Sequence, residues 1–191
     1  VKVNGKRMKV SPVAGEYFRI ERTWKNGDRV ELVLPMHLTM RTWQVNKNSV
    51  SVNYGPLTLS LKIGEEFIRR DSRETAIGDS KWQKGADAEN WPSYEIHPTT
   101  AWNYALVLGE KDPLEGFEVV KKSWPSDNFP FTPGNVPLEV KAQGRRIPSW
   151  KIHKYGLCAV LPETDAPKSP QIENITLIPM GAARLRISAF P

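Results

Sequence analysis

Hydrophobic and polar residues alternate along most of this chain, and that pattern predicts β-strands. In the clearest run, "VSVNYGPLTLSLKI" at residues 50–63, every second residue on either side of Gly55-Pro56 is apolar. A period of two places the apolar side chains on one face of a strand. The alternation returns near residues 106, 138, 175 and 185. No window of a dozen residues has the 3.6-residue period of an amphipathic helix.

Turn-forming residues divide the alternating runs into short strands. Lys25-Asn26-Gly27-Asp28 separates "FRIERTW" from "RVELVL", which predicts a hairpin around the Asn-Gly pair. Gly55-Pro56 predicts a bend or bulge. "VKVNGKRMKV" at the start and "LEVKAQGRRIPSW" at 138–150 each predict a strand, a glycine turn and a second strand. The similarity of these two segments is explained equally well by independent use of the same hairpin residues and by duplication.

The turn chemistry predicts the fold class. The chain has 16 prolines and 13 glycines, with proline-containing loops at 91–98, 124–137 and 162–170. We therefore expect an all-β protein, an antiparallel β-sandwich or jelly-roll-like fold with one or two sandwich units. Residues 64–90 are polar and weakly periodic. We expect a boundary there, with residues 1–66 as the C-terminal part of a first sandwich and 67–191 as a second.

Composition excludes several other classes. The 191 residues are 39% hydrophobic and 25% charged, as in globular proteins. No apolar run approaches the roughly 20 residues of a membrane span, so no membrane partner is expected. The chain begins with Val1, and we interpret it as a piece of a longer or processed protein. The compartment stays open, with a periplasmic or secreted location favoured over the cytoplasm.

The net charge of +6 is unevenly distributed, since residues 1–50 contain 10 basic and 4 acidic residues. Such a basic segment could attract nucleic acid or an anionic glycan. No recognition motif accompanies the charge, so we interpret it as the solvated side of alternating strands and expect no nucleic-acid partner.

Cysteine and histidine usage predicts no metal and no cofactor. A single cysteine, Cys158, excludes an intrachain disulfide and a multi-thiolate metal site, and its apolar surroundings predict a small buried residue. His37, His97 and His153 are dispersed and show no metal-binding spacing. The glycines form no phosphate-binding loop.

The densest chemistry lies in "WPSYEIHPTTAWNY", residues 91–104. Glycoside hydrolysis commonly uses two carboxylates, and Glu95 could be one of them with Asp87 or Glu89 as the other. Tryptophan can stack on a sugar ring. The candidate substrate-binding residues are Trp91, Glu95, His97 and Trp102.

A structural interpretation of the same stretch is favoured over a functional one. Residues around Tyr94 and Ile96 would alternate as a strand with Glu95 on the opposite side, and prolines would stiffen both ends. The aromatic residues that follow would enter the core, and Asn103 would satisfy backbone groups in the loop.

Several short motifs together resemble one known family. They comprise Gly15-Glu16-Tyr17, Arg22-Thr23-Trp24, Gly27-Asp28, Leu34-Pro35-Met36, "VNGK" at 3–6, "VNYGPLTLSL" at 52–61, "WPSYEIHPTTAWNYAL" at 91–106 and "ITLIPMGAARLRISAFP" at 175–191. This set is similar to the region that follows the catalytic barrel in family 127 glycoside hydrolases. These are β-L-arabinofuranosidase-like proteins, long catalogued as a domain of unknown function.

The resemblance implies that catalysis belongs elsewhere. In that family a Cys nucleophile, other cysteines and a Glu surround zinc in an (α/α) barrel, and no residue here matches that cluster. The resemblance therefore implies a non-catalytic C-terminal β-sandwich region of a bacterial-type glycoside hydrolase. Its expected partner is the barrel of the same parent chain, which it would support. A carbohydrate and a second copy of the chain are further candidate partners.

Two alternatives stay open. A carbohydrate-binding module would use exposed aromatic platforms, for which the candidates are Trp82, Trp91, Trp102, Trp124 and Trp150. A self-contained hydrolase would use Glu95 with Asp87 or Glu89.

Overall fold

The computed structural model describes residues 1–9, 13, 15–70, 89–90, 92–153 and 156–191. Every strand pairing in this part of the chain is antiparallel, and the regular structure is almost entirely β. The predicted all-β antiparallel fold is therefore confirmed. The chain divides into two compact units, Val1–Met36 and His37–Pro191. In the described ranges, no helix has the length and apolar character needed to span a membrane.

The first unit contains a small three-stranded sheet. Its strands are β1 (Lys2–Val3), β2 (Lys6–Arg7) and β3 (Val30–Glu31), in the order β2-β1-β3. Asn4 and Gly5 connect β1 to β2 with φ angles of 49° and 76°. Positive φ at both central residues is what a type I′ hairpin turn requires, and it explains the Asn-Gly pair. The predicted strand, glycine turn and second strand at the start of the chain are confirmed.

The turn predicted at residues 25–28 forms, but the hairpin predicted around it is wrong. Gly27 has φ of 87°, and the amide of Asp28 donates to the carbonyl oxygen of Lys25 at 3.1 Å. However, β3 pairs with β1, and residues 17–24 form no strand.

Asn4 provides the reason for this pairing. Its amide donates to the carbonyl oxygen of Arg29 at 2.8 Å, and its side-chain oxygen accepts from the amide of Arg29 at 2.8 Å. Its Nδ2 also donates to Asp28 Oδ1 at 2.7 Å. These contacts fasten the end of the turn to β1, so long-range pairing replaces the local hairpin.

The second unit is built on a larger sheet. Its strands are β4 (Leu38–Trp43), β5 (Ser49–Tyr54), β6 (Leu57–Leu61), β7 (Glu65–Arg70), β8 (Ser93–Pro98), β9 (Tyr104–Leu106), β10 (Glu118–Lys121), β11 (Leu138–Arg146) and β12 (Glu173–Pro179). Seven of them form one sheet in the order β10-β11-β12-β6-β5-β4, with β9 paired to the end of β11. β7 and β8 form a separate two-stranded ribbon. Short 3₁₀ turns occur at Gln44–Asn46 and Met180–Ala182.

The alternation at residues 50–63 produces a tight hairpin of β5 and β6. Tyr54 pairs with Leu57 across the two-residue connection Gly55-Pro56. Gly55 has φ of 55°, as the first central position of a type II′ turn requires. The bend predicted between the two halves of this run is therefore a hairpin turn.

The core of the second unit collects the apolar positions of these strands. Fully buried side chains include Val52, Leu59, Val140, Leu177 and Phe190. The end of the chain is held there by a pair of backbone hydrogen bonds between residues 50 and 190, at 2.8 and 2.9 Å. Removing a side chain of this size from such a core typically costs about 2–5 kcal/mol.

The strand, glycine turn and second strand predicted at 138–150 are wrong, because residues 138–146 form the single strand β11. Gly144 lies inside this strand, paired with Leu106 on one side and Glu173 on the other. A Cβ at Gly144 would lie 3.0 Å from Tyr104 Cδ1 and 3.2 Å from the carbonyl oxygen of Ala105. Glycine is used here for close packing, not for a turn.

The domain boundary that we predicted within residues 64–90 is not tested by the structure. Strands on both sides of residue 66 share the large sheet, since Leu61 of β6 pairs with Leu177 of β12. Residues 71–88 lie outside the described residues, and the division into sandwiches at 66/67 stays a prediction.

Cys158 is exposed, so its predicted burial is wrong; its apolar neighbours in sequence do not cover it.

Candidate functional site

Glu95 and His97 lie together on the β7–β8 ribbon. They are two residues apart on β8, so their side chains lie on the same face. His97 Nε2 is 3.2 Å from Glu95 Oε2, and Arg70 Nη2 on β7 donates to the same oxygen at 2.9 Å. All three side chains are about half exposed. The ribbon therefore presents a small ionic cluster on the surface.

The cluster keeps Glu95 ionised. The hydrogen bond from Arg70, followed by that from His97, lowers the pKa of the Glu95 carboxyl below its ordinary value. A general acid in glycoside hydrolysis needs the opposite shift, which burial or a neighbouring negative charge produces. As placed, Glu95 can accept hydrogen bonds or pair with a cation, but it is poorly suited to donate a proton.

The other predicted carboxylates and one predicted tryptophan lie apart from this geometry. Trp91 and Asp87 lie outside the described residues, as does Trp82. Glu89 is described, and its carboxylate pairs with Arg69 Nη2 at 2.7 Å while remaining largely exposed. Thus the structure brings Glu95 and His97 together, and Glu66, which pairs with His97 across the ribbon, lies on the same face. The predicted partner Glu89 pairs with Arg69 instead.

Trp102 forms part of a structural corner. Its ring packs edge-on against Trp150, with centroids 5.1 Å apart and planes at 71°. Trp150 is only 3% exposed, and its Nε1 donates to the carbonyl oxygen of Ala159 at 3.0 Å. Asn103 Nδ2 donates to the carbonyl oxygens of Ile147 and Trp150 at 2.8 and 3.1 Å. This agrees with the predicted structural role for Asn103, and the buried ring of Trp150 offers no face to a ligand.

Trp124 is the described candidate platform that is clearly exposed. It is 61% exposed, and its Nε1 donates to Asn128 Oδ1 at 2.7 Å. The same loop exposes Phe129 and Phe131, whose rings pack edge-on with centroids 5.4 Å apart. The loop is thus a cluster of aromatic residues held by local hydrogen bonds.

A second ionic cluster fixes the ends of three strands. Arg146 contacts both oxygens of Glu173, at 2.7 and 2.9 Å, and the Tyr104 hydroxyl donates to the same carboxylate at 2.8 Å. Burial, and then the hydrogen bond to Glu173, raises the pKa of the Tyr104 hydroxyl. Arg146 lowers the pKa of Glu173. Since Glu173 is occupied by two partners, this cluster supports β9, β11 and β12.

A polar groove of about 420 Å³ lies on the β4–β6 part of the sheet. Its lining includes Arg41, Trp43, Asn46, Ser51, Asn53 and Ser188. None of these residues was predicted as a binding residue. The available signal was the pairs Arg41-x-Trp43 and Ser51-x-Asn53, which occupy the polar positions of strands whose other face is apolar.

The described residues contain no evident metal-binding site. No three His, Cys, Asp or Glu side chains lie close enough together there to hold a metal ion.

Comparison with known proteins gives one family match. Residues 1–36 match the model described as the β-L-arabinofuranosidase GH127 middle domain. No curated protein and no solved structure matches the chain. The matched segment is the first compact unit and contains the motifs from Gly15 to Met36.

The match corrects one part of the resemblance. The expectation was the C-terminal β-sandwich region of such enzymes, whereas the matching model is the middle domain. The resemblance of residues 52–61, 91–106 and 175–191 to that family stays a prediction. Residues 1–36 are thus similar to the middle domain of GH127 β-L-arabinofuranosidases.

Proposed function

We propose that this chain is a non-catalytic, β-rich part of a glycoside hydrolase of the β-L-arabinofuranosidase kind, and that it packs against and supports a catalytic barrel. The observation that carries the proposal is the match of residues 1–36 to the GH127 middle domain. A middle domain by its description has neighbours in its parent enzyme.

Exposed apolar residues in the first unit support a packing role. Leu32, Val33 and Leu34 are consecutive and are 60%, 69% and 73% exposed. Exposed apolar side chains such as these are candidates for contact with another domain or protein.

The electrostatics of Glu95 argue against its use as the general acid of a glycosidase. Arg70 holds this carboxylate in its charged form, on an exposed ribbon where water screens every interaction. A glycosidase acid is instead protonated in a shielded pocket, between the sugar and a second carboxylate.

An activity assay tests the proposed non-catalytic function. The purified chain should not hydrolyse an aryl β-L-arabinofuranoside, and Glu95→Gln should behave identically. Turnover that disappears in Glu95→Gln would establish the hydrolase alternative with Glu95 as its acid or nucleophile.

A binding experiment tests the support of a barrel. A GH127 catalytic barrel produced without its own β-rich region should bind this chain and gain thermal stability. Val33→Asp should weaken the complex by about tenfold or more, because it places a charge in the apolar contact. Val45→Asp is the matched control, since Val45 is fully exposed in the second unit. Equal affinities of the two variants would contradict the proposed contact.

The carbohydrate-binding alternative is favoured by one observation, the polar groove that contains Trp43. Its residues differ from the predicted platforms, and its chemistry points to a more specific ligand.

A further inference from the structure

The groove at Trp43 follows from the alternation of β4 and β5. Val52 and Tyr54 face the core of the second unit and are buried. Arg41 pairs with Ser51, so the residues between the core positions line the opposite face of the sheet. A groove of about 420 Å³ lies within the range of small-ligand sites.

Trp43 supplies a fixed aromatic surface in this groove. Its Nε1 donates to Ser51 Oγ at 2.9 Å, and Ser51 is itself buried, which holds the indole ring in one orientation. The ring remains 37% exposed. A fixed, partly exposed indole offers a ligand the apolar surface that Arg41 does not cover, and the C–H faces of sugar rings pack on such aromatic surfaces.

Arg41 supplies an available positive charge. Its guanidinium carbon lies 3.7 Å from the centroid of the Trp43 ring. In the described part of the chain it forms no ion pair with a carboxylate, unlike Arg70 and Arg146. The stacked guanidinium is already oriented and can bind a carboxylate through two parallel N–H groups.

Hydrogen-bonding groups surround these two side chains. Asn53 Oδ1 accepts from Thr58 at 3.0 Å, which leaves Asn53 Nδ2 without a partner among the described residues. Asn46 Nδ2 donates to Ser49 at 3.0 Å. Ser188 Oγ is a buried side-chain atom with no hydrogen-bond partner in the described part of the protein, although most such atoms have one.

We propose that this groove binds an oligosaccharide that contains a uronate. The carboxylate would pair with Arg41, a sugar ring would pack beside Trp43, and a hydroxyl group would accept a hydrogen bond from Asn53 Nδ2. A neutral sugar would leave the guanidinium unused, and a simple anion would leave the aromatic and hydroxyl groups unused. The inference rests on the proposed relation to glycoside hydrolases only for the choice of a saccharide.

Calorimetric titration of the full chain tests this proposal. The three probes are trigalacturonate, neutral arabinotriose and inorganic phosphate. Trigalacturonate should bind in the millimolar range or tighter, and the other two at least about tenfold more weakly. Absence of trigalacturonate binding at millimolar concentration overturns the proposal. Equal binding of arabinotriose would show that the groove does not recognise the carboxylate of a uronate. Equal binding of phosphate would show that the groove binds anions without recognising a sugar.

Single variants locate the binding. Arg41→Gln should weaken trigalacturonate binding by about tenfold and leave arabinotriose binding unchanged. Arg19→Gln is the matched control, because it removes the same charge from an exposed arginine in the other compact unit. Equal losses in the two variants would show nonspecific attraction and overturn the site.

Two more variants separate stacking from folding. Trp43→Ala should abolish binding, and Asn53→Ala should weaken it while leaving the circular dichroism spectrum intact. If Trp43→Ala unfolds, the Asn53→Ala and Arg41→Gln results still decide the outcome. Binding without any arabinofuranoside turnover agrees with both proposals, whereas turnover with intact binding contradicts only the non-catalytic function.

Discussion

Glu139 is a buried carboxylate surrounded by lysines. It is 3% exposed, and it accepts from Lys62 and Lys122 at 2.7 Å and from Lys141 at 3.2 Å. Burial alone would raise the pKa of Glu139, but the three ammonium groups outweigh it and hold the pKa at about 2. The lysine heads stay partly exposed, so only the carboxylate is fully withdrawn from water.

Glu139→Gln should destabilise the protein by about 3 kcal/mol at about pH 7, since the lysines lose their shared charge partner. The folded-state pKa lies below the ordinary value of 4.5, so this stability is present above pH 4.5 and is lost as the pH falls towards 2. Urea unfolding of both proteins at about pH 7 and about pH 2.5 measures the difference, which should shrink at the lower pH.

Glu163→Gln is the control for this prediction. Glu163 pairs with Lys47 at 2.7 Å but remains 63% exposed, and exposed pairs contribute little. A Glu139→Gln difference that does not change between the two pH values would contradict the assigned role of the carboxylate.

Gly144→Ala should destabilise the second unit by about 1–3 kcal/mol, because its Cβ would approach the Tyr104 ring and the backbone of Ala105 too closely. Gly134→Ala is the matched control, since a Cβ at Gly134 meets nothing within 4 Å. Thermal unfolding of both variants measures the difference. A melting temperature for Gly144→Ala as high as that of Gly134→Ala would contradict this prediction, because it would show that β9 can shift away from β11 without loss of stability.

At the scale of elements, the β7–β8 ribbon tests how exposed charges interact across two strands. Arg70→Gln should raise the pKa of Glu95 towards its ordinary value, because the first of its hydrogen bonds is lost. Carboxylate carbon NMR shifts recorded against pH measure this pKa. Arg69→Gln is the control on the neighbouring position, where the side chain pairs with Glu89 instead. The assignment fails if both variants shift Glu95 equally.

The hairpins show which elements are determined by their own turn residues. Asn4-Gly5 and Gly55-Pro56 form two-residue turns whose positive φ values are set by the turn residues themselves. By contrast, β3 depends on Asn4, which is 24 residues away from its partner Asp28. Local turns were therefore predictable, and the partner of β3 was not.

At the scale of the molecule, the second unit has its own core and a sheet that draws on strands from residue 38 to residue 179. A chain of residues 37–191 should therefore fold alone with a cooperative thermal transition. A chain of residues 67–191 should not, because it lacks β6, whose Leu59 and Leu61 are buried in that core.

Circular dichroism melts of the two shortened chains provide the measurement. Cooperative folding of residues 67–191 would favour the boundary predicted at 66/67 and a separate second sandwich. Failure of residues 37–191 to fold would show that the second unit needs residues 1–36.

Local sequence patterns were enough to predict the fold class and most of the strands, and they favoured a structural corner at Trp102 and Asn103. These features follow from a period of two and from residues whose conformation depends on near neighbours. The sequence also pointed to a resemblance to β-L-arabinofuranosidases, and residues 1–36 match a family model of that kind. The motif around Glu95 and His97 was recognised, but its ionic partner Arg70 was not.

Tertiary structure alone decided which distant residues meet. It made Gly144 a packing glycine, left Cys158 exposed and placed Arg41, Trp43 and Asn53 in one groove. Each of these outcomes depends on the pairing of strands that are remote in the chain. Pairing is selected by the total burial and hydrogen bonding of the whole sheet, which a local pattern of residues does not contain.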